Sequence, residues 1–226
     1  MYLSLLLLLL EGYSRTPTHA PTRAPSCGVS QWVVTNISQP CLPADSDVVW
    51  LIQGSSETLQ SYVFPNVSQF IMNTVVNVSV SRLGFVVYGG AAFDLPTTFV
   101  TIGPQLNLTN STALFISELG STEAIGGTTD TPDGLRYVIG NMFQGSTRRK
   151  IIILVTSILP SDYYGNVTEM MMCELESVTT LLGDIILVVV KIGTYLPSGF
   201  MVGYANYIYD VPGTQPDEMR DILCFN

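Results

Sequence analysis

The sequence predicts an α/β fold: a doubly wound, mostly parallel central sheet flanked by helices, with one antiparallel edge strand. Three observations carry this expectation. Asp47–Ile52 (DVVWLI), Lys150–Val155 (KIIILV) and Asp184–Ile192 (DIILVVVKI) are apolar runs, not alternating ones. Strands of that kind need both faces covered, as in a parallel sheet between two helical layers. Segments with apolar residues at three- and four-residue steps stand between them, and strand–helix alternation at this spacing is the doubly wound pattern. The chain is also 47% apolar and 12% charged over 226 residues, which suits one sizeable buried core and a tail.

The elements follow in order. Asp47–Ile52 is a central strand closed by Gln53-Gly54-Ser55-Ser56. Leu59, Val63, Val67, Phe70, Ile71 and Val75 mark an amphipathic helix, with Pro65 near its first turn. Leu83–Tyr88 is a second strand, and Ala91–Val100 reads as the edge strand, where Pro96 is tolerable. Helices are expected around Ser111–Leu119 and Asp133–Phe143, and a third over Glu169–Leu182 between the strands Lys150–Val155 and Asp184–Ile192. Asn206–Tyr209 is the last strand, before a short helix at Asp217–Leu223 that Pro216 would start. In such folds ligands bind beyond the carboxyl ends of the strands. That points to the loops after Ile52, around Gly126–Asp130, and after Thr156.

Ahead of the folded part, residues 1–14 read as a signal peptide: a leucine run followed by Glu11, Gly12, Tyr13 and Ser14. The run is too short to span a bilayer, and no transmembrane segment is expected. Residues 15–40 form a Pro/Thr-rich stalk and N-terminal extension (RTPTHAPTRAPS at its start) that cannot bury a core. The domain proper is placed at 41–226. Asn36, Asn66, Asn77, Asn107, Asn110 and Asn166 each open an Asn-x-Ser/Thr sequon. Together with the leader they place the chain in the secretory pathway, where Cys27, Cys41, Cys173 and Cys224 would form two disulfides.

Charge and residue types exclude several functions. A net charge of −9 with nine basic residues argues against a nucleic-acid partner, because phosphate binding needs a clustered Lys/Arg surface. The one cluster, Arg148-Arg149-Lys150, precedes a buried strand and reads as a solvated turn. The single histidine, His19, lies in the stalk, so the folded part has no imidazole for a Ser or Cys nucleophile. Asp130 and Asp133 form a carboxylate pair with acid–base potential, but acids at a helix start are more often caps.

DVVWLIQGSS, IGGTTDTPDGL and KIIILVTS, with the ending NYIYDVPGTQPDEMRDILC, stand in the order and spacing of a known family. Over about Cys41–Cys224 the chain resembles the von Willebrand factor type A domain. The resemblance implies a metal-ion-dependent adhesion site on the three crevice loops, where hydroxyls and carboxylates hold Mg²⁺ and an acidic ligand group completes its shell. Carried over, Ser55 and Thr128 are kept, while Gln53, Glu57 and Ser157 replace an aspartate, a serine and an aspartate. The loss of both aspartates predicts a degenerate site and no cofactor. The competing reading is a rearranged Mg²⁺ or Ca²⁺ site of Ser55, Glu57, Thr128 and Asp130. For the cysteines, a Cys41–Cys224 bridge would staple the termini and constrain the unfolded chain by about 4–5 kcal/mol, leaving Cys27–Cys173. Cys27–Cys41 with Cys173–Cys224 is the open alternative. The expected function is a secreted, glycosylated, non-enzymatic binding or adhesion module that engages an extracellular protein without metal. A structural subunit of a matrix, coat or filament, binding its own copies, is the alternative, and a carboxylate-dependent hydrolase stands third.

Overall fold

The computed structural model describes residues 45–55, 63–76, 81–89, 101–157, 169–192, 205 and 207–211. Six strands among them form one sheet: β1 (Ser46–Gln53), β2 (Arg82–Gly89), β3 (Thr101–Thr109), β4 (Arg149–Thr156), β5 (Ile186–Ile192) and β6 (Tyr207–Val211), in the order β3-β2-β1-β4-β5-β6. All neighbours are parallel except β2 and β3. The helices are α1 (Val63–Val75), α2 (Thr112–Gly120), α3 (Thr131–Tyr137) and α4 (Glu169–Thr179). A π-helical turn over Val138–Met142 continues α3.

The inner strands β1, β2, β4 and β5 are buried on both faces, as the apolar runs require. Along β1, Val48, Trp50 and Ile52 pack into a core with Phe64, Val67, Ile71 and Val75 of α1 and Phe115 and Leu119 of α2. The intervening Val49 and Leu51 pack into a second core with Leu135, Val138, Leu175 and Val178 on the α3–α4 side. The two-residue alternation of a strand thus serves two separate helical layers. Phe85 and Phe115 meet edge to face at 5.6 Å in the first core, the arrangement that aromatic quadrupoles favour. Pro65 falls in the first turn of α1, where no backbone donor is lost to it. Ser111 caps α2 by accepting from the Leu114 N–H at 3.1 Å.

The end of the sheet away from the crevice is closed by charge. Asp47 opens β1 in register with Arg82 of β2. Arg82 Nε donates to Asp47 Oδ1 at 2.7 Å, while Arg82 Nη2 and Ser146 Oγ both donate to Oδ2. Arg148 Nε pairs with Asp45 at 3.1 Å nearby. Arg148, read from sequence as part of a solvated turn, therefore lies against this ion-pair group.

One expected element stands elsewhere. The antiparallel edge strand is Thr101–Thr109; Ala91–Val100 lies outside the described residues. An edge strand tolerates the proline at Pro104, and Ile102, Leu106 and Leu108 are half-buried against the cores. Register irregularities between Leu83 and Phe85 and between Val86 and Tyr88 bend this pair. The helix expected at Asp217–Leu223, the leader, the stalk, and Cys27, Cys41 and Cys224 also lie outside the described residues. Cys173 of α4 is disulfide-bonded. Of the sequon asparagines, Asn66, Asn107 and Asn110 are exposed, and the other three lie outside the described residues. No helix among the described residues is long and apolar enough to cross a membrane.

Candidate functional site

The chain leaves β1 for β2 on one side and later enters β4 on the other, so the carboxyl ends of β1 and β4 flank a topological switch point. Gln53, the last residue of β1, occupies it and is 2% exposed. Its carbonyl Oε1 accepts from Ser157 N at 2.7 Å, Thr156 Oγ1 at 2.8 Å and Ser157 Oγ at 3.3 Å. Its amide Nε2 donates to Ser55 Oγ at 2.7 Å and to Thr129 Oγ1 at 3.2 Å, and Thr129 Oγ1 donates to Ser55 Oγ at 3.1 Å. The backbone N–H of Ser157 can only donate, so the carbonyl must face β4 and the NH₂ must face the two hydroxyls. Both amide protons and the carbonyl are thereby satisfied inside the protein.

Backbone contacts hold the loops around this amide. Gly54 N donates to Tyr88 O at 2.8 Å, and Gly54 O accepts from Ile125 N at 2.9 Å and Gly126 N at 2.8 Å. A side chain at Gly54 would bring Cβ within 2.4 Å of Val87 Cγ1, so any larger residue would force β2 to shift. Gly126 and Gly127 follow with φ of 80° and 77°, the left-handed region that favours glycine. Below them Tyr88 Oη shares a hydrogen bond with Thr131 Oγ1 at 3.1 Å, and burial pushes the phenol up to about 12. Lys191 of β5, also buried, is the register partner of Thr156.

Asp130 starts α3 and caps it, with Oδ1 accepting from Asp133 N at 3.2 Å. Burial first, then the Asp133 and Glu174 charges, push its carboxyl up to about 6. Asp133 is paired with Arg136 one turn on. Because the folded pKa of Asp130 lies above the unfolded value, the native state holds the extra proton between pH about 4 and 6. Stability therefore falls as pH rises through that window and stays lower above it. An asparagine at this position keeps the cap without the charge. Asp130→Asn is expected to remove this decline and to raise stability at pH 7 by about 1–2 kcal/mol, allowing for partial solvent screening. Urea melts of both proteins from pH 4 to 7 measure it; parallel pH profiles would refute the assignment.

The structure brings together Gln53, Ser55 and Ser157, as the loop order predicts. It places Thr129, not Thr128, against Ser55: Thr128 is buried beside it, but the hydroxyl that closes the network belongs to the next residue. The two consecutive left-handed glycines reset the chain direction, so counting from the Gly-Gly pair does not identify the inward hydroxyl. Motif spacing does not single out Thr156 either; its signal is register, since Ile52 pairs with Val155 and Gln53 and Thr156 come next. Glu57 lies outside the described residues. No group of three or more His, Cys, Asp or Glu side chains placed to hold a metal ion occurs among the described residues.

Residues 47–193 match the family model described as the von Willebrand factor type A domain. No curated protein sequence matches the chain. Among solved structures, it is similar to proximal thread matrix protein 1 from the mussel byssus, described with a zinc-occupied MIDAS motif. The identity there is 18% and the TM-score 0.57, covering 82% of this chain and 46% of that one. It is also similar to the pilus adhesin SpaC of Lactobacillus rhamnosus GG, at 12% identity and a TM-score of 0.59, covering 82% of this chain and 30% of that one. BatB from Bacteroides thetaiotaomicron, described as a conserved hypothetical protein, is 13% identical with a TM-score of 0.57, covering 80% of this chain and 96% of that one. The chain thus spans less than half the length of the mussel protein and less than a third of the adhesin. A six-stranded sheet in this order, with its loops meeting at the β1–β4 switch point and the family match across most of its length, establishes that the chain belongs to the von Willebrand factor type A domain family.

Proposed function

We propose that this chain is a secreted, glycosylated, non-enzymatic binding module that recognises an extracellular protein through the β1–β4 crevice without a metal ion. One observation carries the metal-free part: the Gln53 amide. A metal site of this family needs oxygen lone pairs aimed at the cation and negative charge to offset its dehydration. Here the NH₂ of Gln53 directs its two protons at the Ser55 and Thr129 oxygens that a cation would use. An amide nitrogen has no lone pair to offer a metal, and the two hydroxyls that accept from it are neutral. The amide fills, by hydrogen bonding, the linking role that a cation has between loops. Among the described residues, the donor set does not fit Mg²⁺, Ca²⁺ or Zn²⁺.

The likeness to a pilus adhesin and a byssal thread matrix protein supports an extracellular binding role. The leader and sequons support secretion, and the disulfide at Cys173 suits an oxidising compartment. It agrees with Cys27–Cys173 beside Cys41–Cys224 and equally with Cys173–Cys224. Assembly of copies by strand addition at β3 finds less support, because Pro104 and the bends in the β2–β3 pair blunt that edge.

Calorimetric titration with MgCl₂, CaCl₂ and ZnCl₂, and thermal melts in each salt against EDTA, test the proposal. No saturable heat and superimposable melts are expected, since a ligand that binds only the native state must raise Tm. A saturable rise in Tm with any of the three, reversed by EDTA, would overturn it. Proteins captured by the secreted chain from its source medium are likewise expected to stay bound in EDTA.

A further inference from the structure

Ser68 carries a hydroxyl that the fold does not use. It lies in α1 next to the core residue Val67 and is 5% exposed. Among the described residues, its Oγ and Trp50 Nε1 are the buried side-chain polar atoms with no hydrogen-bond partner. Two other buried helix hydroxyls are satisfied by the chain one turn back: Thr74 Oγ1 donates to Phe70 O at 2.9 Å and Thr179 Oγ1 to Glu176 O at 2.7 Å. Leaving a buried hydroxyl unpaired is unfavourable, and alanine is both the better helix former and free of that cost. Ser68 therefore answers to some demand other than packing.

Two residues before it stands Asn66, exposed in the first turn of α1, and Asn66-Val67-Ser68 is a sequon. We infer that Asn66 carries an N-linked glycan and that Ser68 is present as the hydroxyl which glycosyl transfer requires. Transfer precedes folding, so burial of Ser68 in the finished helix is no obstacle. The co-substrate is an oligosaccharide on a lipid pyrophosphate. Asn66 Nδ2 bonds to C1 of the first sugar, the C1–O bond breaks with its electron pair going to the lipid pyrophosphate, and one amide proton leaves to the transferase base. Because β1 and β2 are parallel, α1 must run from the crevice end of β1 back to the start of β2. The sugar on its first turn then stands on the α1 flank of the crevice end and narrows approach from that side.

The inference rests on the secretory reading above, and the test separates the two. The full chain is secreted from a eukaryotic cell line as wild type, Asn66→Gln, Ser68→Ala and Ser68→Thr, and its peptides are mapped before and after enzymatic deglycosylation. The Asn66 peptide is expected to be glycosylated in the wild type and in Ser68→Thr and bare in Ser68→Ala. Asn66→Gln and Ser68→Ala share the same glycans and differ at the hydroxyl, so Ser68→Ala is expected to melt no lower than Asn66→Gln. A bare Asn66 with sugar on Asn107 or Asn110 overturns this inference alone, and a chain with no sugar anywhere overturns it together with the secretory reading. A clearly lower melt for Ser68→Ala, or its retention in the cell while Asn66→Gln is secreted, would show that the fold needs the hydroxyl and would overturn the role given to Ser68.

Discussion

Gln53→Ala is expected to destabilise the domain by about 3–4 kcal/mol, lowering Tm by roughly 10 °C. The loss has a specific origin. The Ser157 N–H, the Thr156 hydroxyl and the Ser55–Thr129 pair converge on one amide, in a setting that excludes water. Hydroxyls can rotate toward one another once the amide is gone, but the Ser157 N–H cannot and is left buried and unpaired, at about 1–3 kcal/mol. The cavity left by the side chain adds to this. A melt within about 1 °C of wild type would mean that the network is not holding the loops.

The same position offers a converse experiment. Gln53→Asp with Ser157→Asp replaces an amide and a hydroxyl by two carboxylates beside Ser55 and Thr129. Without metal, the buried charges should lower stability further. With Mg²⁺, hydroxyls and carboxylates together make the hard oxygen set that this ion prefers. The double variant is expected to gain a saturable, EDTA-sensitive rise in Tm that the parent lacks. If it does not respond, loop geometry rather than donor chemistry excludes the cation, and the role given to Gln53 is wrong.

The second large effect is expected at the other end of the sheet. Asp47 is fully buried and binds Arg82 through both carboxylate oxygens, with Ser146 donating to one of them. Asp47→Ala leaves the Arg82 guanidinium facing the void, although 31% of that side chain stays exposed and can be rehydrated. A loss of about 2–4 kcal/mol follows, below the full figure for breaking a buried pair. Burial by itself raises the Asp47 pKa, but hydrogen bonds from Arg82 and Ser146 and the Arg82 and Arg148 charges outweigh it and hold the carboxyl below its ordinary 3.8. The pair's stabilisation is thus complete above pH about 4 and disappears as pH falls through the lower folded value. Chemical melts below pH 4 should show a steep acid limb in the wild type and a shallower one in Asp47→Ala. This slope is opposite in sign to that of Asp130, whose unfavourable contribution grows between pH about 4 and 6, so the two variants are distinguishable in one pH series. Equal acid limbs would rule out Asp47 as the source.

Much of this was readable from one-dimensional pattern. An unbroken apolar run such as KIIILV has no polar face, so it can only be an inner strand of a covered sheet. With the helical spacing between such runs, that determined the layers, the parallel pairing and the end at which the crevice lies. That Gln53, Ser55 and Ser157 come together was also legible, because they sit where strands end, and position along a strand is counted in single residues. The tertiary structure decided what counting could not. Which of Thr128 and Thr129 turns inward depends on two left-handed glycines, whose dihedral freedom no periodicity records. The antiparallel edge strand is Thr101–Thr109 rather than Ala91–Val100, because edge strands tolerate proline at either place and only pairing with β2 fixes which segment is used. The orientation of the Gln53 amide is set by the Ser157 backbone N–H, 104 residues away. Local sequence chose the residue types at the site; their partners were chosen by the long-range pairing of β1 with β4, which brings distant donors and acceptors within hydrogen-bonding distance.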